Sequence, residues 1–331
     1  MSSFFGLDIG ATQIKVLQVE KSNNQFKVAK MAVVNSDEKN LAGSIKQAVK
    51  EAGIKGTVEA NLALAESEVF TKIIETPKLS ETELASSIQF EAEQYIPIPL
   101  NEVELYHQII GVREGENEKV MKVLLIAVPK TKINSLMELI DQAELIPKSL
   151  ETELFSLKRV FENESKTQAI VSFGFKTTDL MILSKGLSLF TYAMNVGGEA
   201  LTKSLVNELS LPIDQAEEYK KTYGVNQELL EGKVAKVLIP VVDEIVNQIN
   251  KAMMYLQQQN FNKQIDELVL TGGGALLPGL SGYLSSKLNL EVVVGDPFTR
   301  FVRDDNFKQK IASMSNPQLG TVTGLALKGL I

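Results

Sequence analysis

Two stretches half a chain apart carry the same plan. "FFGLDIGATQIKVLQV", Phe4 to Val19, runs an apolar strand into a turn at Gly10 and out along a second strand, where Ile14, Val16 and Val19 are apolar around Lys15 and Gln18. That near-alternation is the period of a half-buried strand, so the stretch reads as a β-hairpin. "AIVSFGFKTTDLMIL", Ala169 to Leu183, repeats the plan around Gly174. With the two glycines aligned, Asp8 falls on Ser172, Thr12 on Lys176 and Val16 on Leu180. A hairpin repeated at this distance predicts two lobes of similar topology facing one another. The length agrees, since 331 residues exceed one ordinary core.

A third glycine signal is "LVLTGGGALLPGL", Leu268 to Leu280, where an apolar strand runs into Gly272, Gly273 and Gly274. Glycine weakens strands, so the triplet marks a backbone demand: a tight turn, or close approach of main chain to a phosphate or nucleoside. Two glycine hairpins can clamp phosphates from opposite sides through backbone N–H groups, and a third turn can admit a base or ribose. Two competing motifs fail. A dinucleotide fingerprint starting at Gly272 meets Leu277 where its last glycine belongs, and Gly232-Lys233 is followed by Val234, so no P-loop is present.

Composition narrows the classes further. The chain has no cysteine, which excludes disulfides, thiolate metal sites and a cysteine nucleophile. Its one histidine, His107, excludes a histidine metal cluster and has no role in this reading. A net charge of -7 argues against a nucleic-acid partner. No apolar run approaches the ~20 residues of a membrane span, and the start lacks a signal-like pattern, so a cytoplasmic location without membrane insertion is expected.

In order, "LDIGATQIK", "SFGFKTT" and "LTGGGALLPGL" resemble the phosphate-1, phosphate-2 and adenosine motifs of the actin-like ATPase superfamily, which includes actin, MreB, FtsA, DnaK-type chaperones and sugar kinases. "MNVGGEALTKSLVNEL", Met194 to Leu209, resembles the FtsA-type segment after phosphate-2, and "QAEEYKKTYG", Gln215 to Gly224, resembles the A-E-x-x-K helix of MreB and FtsA. The most specific stretch is "PKLSETELASSIQFEAEQYIPIPLNEVELYHQII", Pro77 to Ile110. Ser80 and Glu83 form a capping box, Leu84, Ile88 and Ala92 recur at helical spacing, and Pro97 and Pro99 end the helix. Its wording resembles the inserted 1C subdomain of the type IV pilus assembly protein PilM family. The final "LGTVTGLALKGLI" reads as an internal helix rather than the basic membrane-targeting tail of FtsA.

The resemblance implies an α/β, two-lobed actin-like ATPase fold with ribonuclease H-like duplicated domains and an inserted FtsA-type 1C subdomain. Its expected divisions are 1–78 for the first part of subdomain 1A, 79–148 for 1C, 149–166 for a connector returning to 1A, 167–316 for the second lobe and 317–331 for a helix returning to 1A. The helix "TKINSLMELIDQAEL" is expected to cross the 1C strands, a long amphipathic helix is expected from Val241, and Arg113 to Val120 is expected to be an exposed hairpin loop.

The same resemblance implies ATP or ADP with Mg²⁺ in the cleft. Gly10, Ala11, Thr12, Gln13 and Lys15 would face phosphate from one lobe, and Gly174, Phe175, Lys176 and Thr177 from the other. Gly197 and Gly198 would give the nucleotide room. Glu217 and Lys220 would meet ribose and base, and Gly272, Gly273, Gly274 and Leu277 the adenosine. Asp8 would hold the metal through water, and Glu151, or Glu153, would position an attacking water. The family usually has an aspartate where Ser172 stands, so slow hydrolysis or none is expected. The implied partner is the N-terminal cytoplasmic peptide of a PilN-like inner-membrane protein, lying between 1A and 1C with the "YIPIPL" turn as one wall, together with other pilus platform components or further copies of the chain. A sugar-kinase-like phosphotransferase and an FtsA- or MreB-like filament are the alternatives.

Overall fold

The first hairpin forms as its alternation predicts. β1 (Phe4–Ile9) and β2 (Gln13–Ser22) are antiparallel, with β3 (Gln25–Asn35) continuing the meander, α1 (Leu41–Glu51) crossing back and β4 (Glu59–Leu64) lying parallel to β1. The computed structural model describes residues 4–23, 25–56, 59–114, 119–258, 264–311 and 316–331. The tip of the expected loop between Arg113 and Val120 lies outside them.

Next come β5 (Phe70–Pro77), α2 (Glu81–Tyr95), β6 (Val103–Glu114) and β7 (Lys119–Pro129), forming a three-stranded sheet in the order β5-β7-β6. The helix α2 starts at the expected capping box: the Ser80 hydroxyl accepts from the Glu83 N–H, and the Glu83 carboxylate accepts from the Ser80 N–H. Leu84, Ile88 and Ala92 are buried against Ile74, Met121, Val123 and Leu125, so this insert has its own small core. It begins near residue 70, earlier than the expected 79, because β5 belongs to its sheet.

α3 (Lys130–Gln142) leads to β8 (Ile146–Thr152) and α4 (Glu153–Phe161). The expectation that α3 crosses the 1C strands is corrected. Leu136, Met137, Leu139 and Ile140 pack with Ile45 and Ala48 of α1 in the first-lobe core. The connector lies in that lobe, where β8 pairs parallel with β4 and completes the sheet order β3-β2-β1-β4-β8.

The second lobe repeats this plan. β9 (Thr167–Phe173), β10 (Thr178–Ser184) and β11 (Leu187–Met194) form the meander. α5 (Gly198–Leu209), α6 (Ile213–Tyr223) and α7 (Lys233–Gln258) follow, then β12 (Glu267–Thr271), α8 (Leu280–Leu288) and β13 (Glu291–Val294). The sheet order β11-β10-β9-β12-β13 matches the first lobe strand for strand. α7 begins eight residues before the expected Val241 and carries Pro240 inside it. A proline removes one helical donor and argues for a boundary. Here Val234, Leu238, Val242, Ile245 and Ile249 form one buried stripe through it, and that packing outweighs the local break.

α9 (Asp305–Ile311) and α10 (Gly320–Leu327) end the chain. The return to the first lobe precedes the expected residue 317: Phe298, Phe301, Phe307 and Ile311 already pack with Leu17, Val19 and Phe26. α10 joins this core through Val322 and Ala326, on the sheet face opposite α1.

Candidate functional site

The two glycine turns close alike. Gly10 N–H donates to the Gln13 carbonyl at 3.0 Å, and Gly174 N–H to the Thr177 carbonyl at 2.9 Å. Directly below, Asp8 pairs with Lys15 across the first hairpin, and Ser172 pairs with Asp179 across the second. The Lys15 ammonium meets the Asp8 carboxylate at 2.8 Å, and both side chains are largely buried. Ala11 and Thr12 at the first tip are exposed, Gln13 and Phe175 are half-buried, and Lys176 is exposed. Lys176 reaches across the lobes to Glu38 at 3.0 Å.

The expected Glu151 stands elsewhere. Its carboxylate takes two hydrogen bonds from Arg159, at 2.7 and 2.8 Å, and an ion pair from Lys328 at 2.9 Å. It ties β8 to α4 and the C-terminal segment. Glu153, the first residue of α4, is instead within electrostatic reach of Asp8, Lys15, Asp179 and Glu66. Burial, reinforced by the charges of Asp179, Asp8 and Glu66 and opposed by Lys15, holds its carboxyl well above the usual range. Glu66, in the turn after β4, is 3% exposed, with the Thr152 hydroxyl beside its carboxylate. Burial raises its pKa to about 7. Asp179 is likewise raised to about 7 by burial, against a hydrogen bond from Thr177. The cleft floor thus gathers four carboxyls and one lysine.

Sequence reasoning missed Asp179 and Glu66. Asp179 carried the same signal as Asp8, a lone carboxylate in an apolar strand, but the expected aspartate position, 172, drew attention instead. Glu66 follows the apolar "NLALA" and looks like an ordinary turn residue.

Gly197 also answers a packing demand. A Cβ on Gly197 would lie 2.5 Å from the Phe175 carbonyl oxygen, so glycine lets α5 start against the second hairpin turn. The N–H groups of Gly198 and Glu199 donate to the Gly174 and Phe175 carbonyls. Lys220 clasps α6 to α5: its ammonium donates to the Gly198 carbonyl at 3.1 Å, the Thr202 hydroxyl at 2.8 Å and Glu217 at 2.6 Å. Burial lowers the Lys220 pKa. Burial also pushes Glu217 upward, but its hydrogen bonds from Lys220 and Thr202 outweigh this and leave it lowered.

The triple glycine divides its roles. Gly272 has φ +83° and a Cβ there would meet the Phe173 carbonyl at 2.5 Å, while one on Gly274 would strike the Phe173 ring at 2.5 Å. Both serve packing on β9. Gly273 faces open space. The Leu277 side chain is buried in the second-lobe core, whereas Leu276 is half exposed.

Residues 6–330 match the family model described as type IV pilus assembly protein PilM. The chain belongs to that family. A solved structure of a PilM-PilN type IV pilus biogenesis complex superposes with TM-score 0.83 at 23% identity, covering 100% of this chain and 99% of that one. MreB 5 of Spiroplasma citri bound to AMPPNP superposes with TM-score 0.54 at 12% identity, over 97% of this chain and 94% of that one. The cell division protein FtsA of Borreliella burgdorferi is 24% identical over 217 residues, 58% of this chain and 51% of that protein, so the chain spans about half of this curated relative. The fold of this family member is the two-lobed actin-like ATPase fold.

Among the described residues, no group of three or more His, Cys, Asp or Glu side chains could hold a metal ion by itself. The acidic side chains gathered at the cleft floor, Asp8, Glu66, Glu153 and Asp179, are oxygen donors of the kind that suits Mg²⁺, and one buried oxygen of Asp179 has no hydrogen-bond partner. Among the described residues, no helix is long and apolar enough to cross a membrane.

Proposed function

We propose that this PilM-family chain is a nucleotide-binding scaffold of a type IV pilus, or related type II secretion, assembly platform. The observation that carries the nucleotide half is the mirrored pair of glycine hairpins, each backed by a buried carboxylate, with Lys15 paired to the first of them. Backbone N–H groups at turns of this kind suit phosphate. ATP or ADP would lie with its phosphates between the tips at Gly10 and Gly174 and its adenosine toward Gly273. Mg²⁺ would neutralise phosphate charge, and Asp8 would contact its water shell. Hydrolysis would be slow or absent, because Ser172 offers no charge at the usual position. Mg-ATP at millimolar concentration should raise the melting temperature, since a ligand that prefers the folded state stabilises it. No shift would overturn the cleft assignment.

The second half is a partner. The solved relative is a PilM-PilN complex, and we infer that this chain binds the N-terminal cytoplasmic peptide of a PilN-like inner-membrane protein between the first lobe and the insert. In "YIPIPL", Ile96, Ile98 and Leu100 are half-buried while Pro97 and Pro99 are exposed, the alternation of an extended wall. Ile96 and Leu100 also pack on the insert's core. An extended peptide could set its side chains along this wall and pair with a strand edge. Because a disordered tail loses entropy on ordering, its affinity should be on the order of micromolar. The partner would then hold the chain at the inner face of the cytoplasmic membrane. Titration with that peptide and a scrambled control tests this; equal binding of both, or of neither, removes the scaffold reading.

A further inference from the structure

The turn after β4 carries two glutamates with different surroundings. Glu68 is half-buried and pairs with Lys132 of α3 at 2.9 Å. Glu66 is turned inward and buried. The turn itself does not require this, because it closes through its backbone: the Glu68 N–H donates to the Ala65 carbonyl at 2.9 Å. Inside, the Thr152 hydroxyl stands beside the Glu66 carboxylate, and the charge that acts on it is that of Asp179, of its own sign. A buried carboxylate so placed is costly unless a cation reaches it.

The position of Glu66 gives the cost a direction. On the second hairpin, Asp179 is opposed to Ser172 on one side and to Ala193 of β11 on the other. Glu66 lines one cavity with Ala193 and Asn195, so this first-lobe turn stands against that rung of the second lobe. With the hairpin glycines aligned, Ser172 is the counterpart of Asp8, and the rung lacks the leading-strand carboxylate that its twin carries. Glu66 brings one to it from the other lobe. Glu153 is within electrostatic reach of both, and Lys15 is committed to Asp8 at 2.8 Å. One buried oxygen of Asp179 has no partner. Carboxylates from opposite lobes repel one another unless positive charge comes between them.

We propose that Glu66 supplies, from the first lobe, the carboxylate that position 172 lacks, and that it holds the water shell of the divalent cation carried by a nucleotide in this cleft. This rests on the nucleotide reading above. Glu66 acts as a positioning residue through water. Its cost in the empty protein and its use in the bound one come from the same charge, so a substitution that relieves the first also removes the second.

The test uses the full chain at pH 8 and calorimetric titration with Mg-ATP and with ATP in excess chelator. Glu66→Gln keeps an oxygen for the Thr152 hydroxyl, so a merely structural role survives the substitution. The variant should bind Mg-ATP about tenfold more weakly, or worse, the range for residues that act on a metal through its outer shell. Metal-free ATP should bind equally or slightly more tightly, because one negative charge is gone. Water-proton relaxation with Mn-ATP should change in the same variant. Adding Ser172→Asp to Glu66→Gln should restore most of the Mg-ATP affinity and the relaxation. If wild type and Glu66→Gln bind Mg-ATP alike, or if Glu66→Gln loses ATP equally with and without the metal, the proposal is overturned and the nucleotide reading stands. Absence of ATP binding in the wild type would overturn both. Should Glu66→Gln not fold, Ser172→Asp alone decides: with Glu66 already serving that rung, the proposal expects little gain in Mg-ATP affinity, and a tenfold gain would overturn it.

Discussion

Replacing Glu66 by glutamine should stabilise the protein at pH 8 and change it little at pH 5. The side chain is 3% exposed, and burial, against a hydrogen bond from Thr152, raises its pKa from 4.5 to about 7. A raised carboxyl binds its proton more tightly in the folded than in the unfolded state. The stability tied to that proton is fully present below about 4.5, falls as pH rises, and is gone above about 7. At about 1.4 kcal/mol per pKa unit, the full penalty is ~3 kcal/mol. Glutamine has nearly the same shape and no charge, so the variant avoids the penalty without opening a cavity. With an unfolding entropy of about 2 cal/mol/K per residue, a chain of 331 residues should gain roughly 4 °C at pH 8. At pH 5 the gain should fall below ~1 kcal/mol. Calorimetric melting of both proteins across pH 5 to 8 checks this. Equal melting at pH 8, or a gain that does not vary with pH, would refute the argument that Glu66 ionises at a cost inside the fold.

Lys15→Ala leaves Asp8 buried without its 2.8 Å partner and should cost ~3 kcal/mol; adding Asp8→Asn should recover most of it, while both variants lose part of the melting shift given by Mg-ATP. Gly197→Ala would place a Cβ 2.5 Å from the Phe175 carbonyl oxygen and should cost ~1–3 kcal/mol in urea unfolding. Leu84→Ala removes a fully buried side chain from the insert's small core, so a loss of ~2–4 kcal/mol should accompany weaker capture of the PilN-type peptide. ADP release by the isolated chain should stay far below the several per second of a competent kinase; a rate at that level would favour phosphotransfer.

Local pattern alone determined a great deal here. The alternation after Gly10 settles the first hairpin whatever surrounds it, because a period of two allows only one half-buried arrangement; around Gly174 the strands are buried on both faces and the glycine turn between two apolar runs marks the hairpin. Ser80, Glu83 and the Leu84, Ile88, Ala92 stripe likewise determine α2, since cap and face both come from neighbours in sequence. The repeat of the hairpin was enough to anticipate the second lobe. Other features depended on residues far apart. Glu151 and Glu153 are two apart in the chain, yet one is clamped by Arg159 and Lys328 while the other is in electrostatic reach of Asp8. Only the register of β8 on β4 and the start of α4 separate them. The same holds for α3, whose amphipathic pattern fits either sheet until α1 covers it, and for Pro240, overridden by the packing of α7. Two of the three glycines after β12 were decided by Phe173, nearly a hundred residues earlier. Asp179 shows the limit most clearly: a carboxylate's role depends on what faces it across the ladder, and strand pairing, not sequence order, chooses that neighbour.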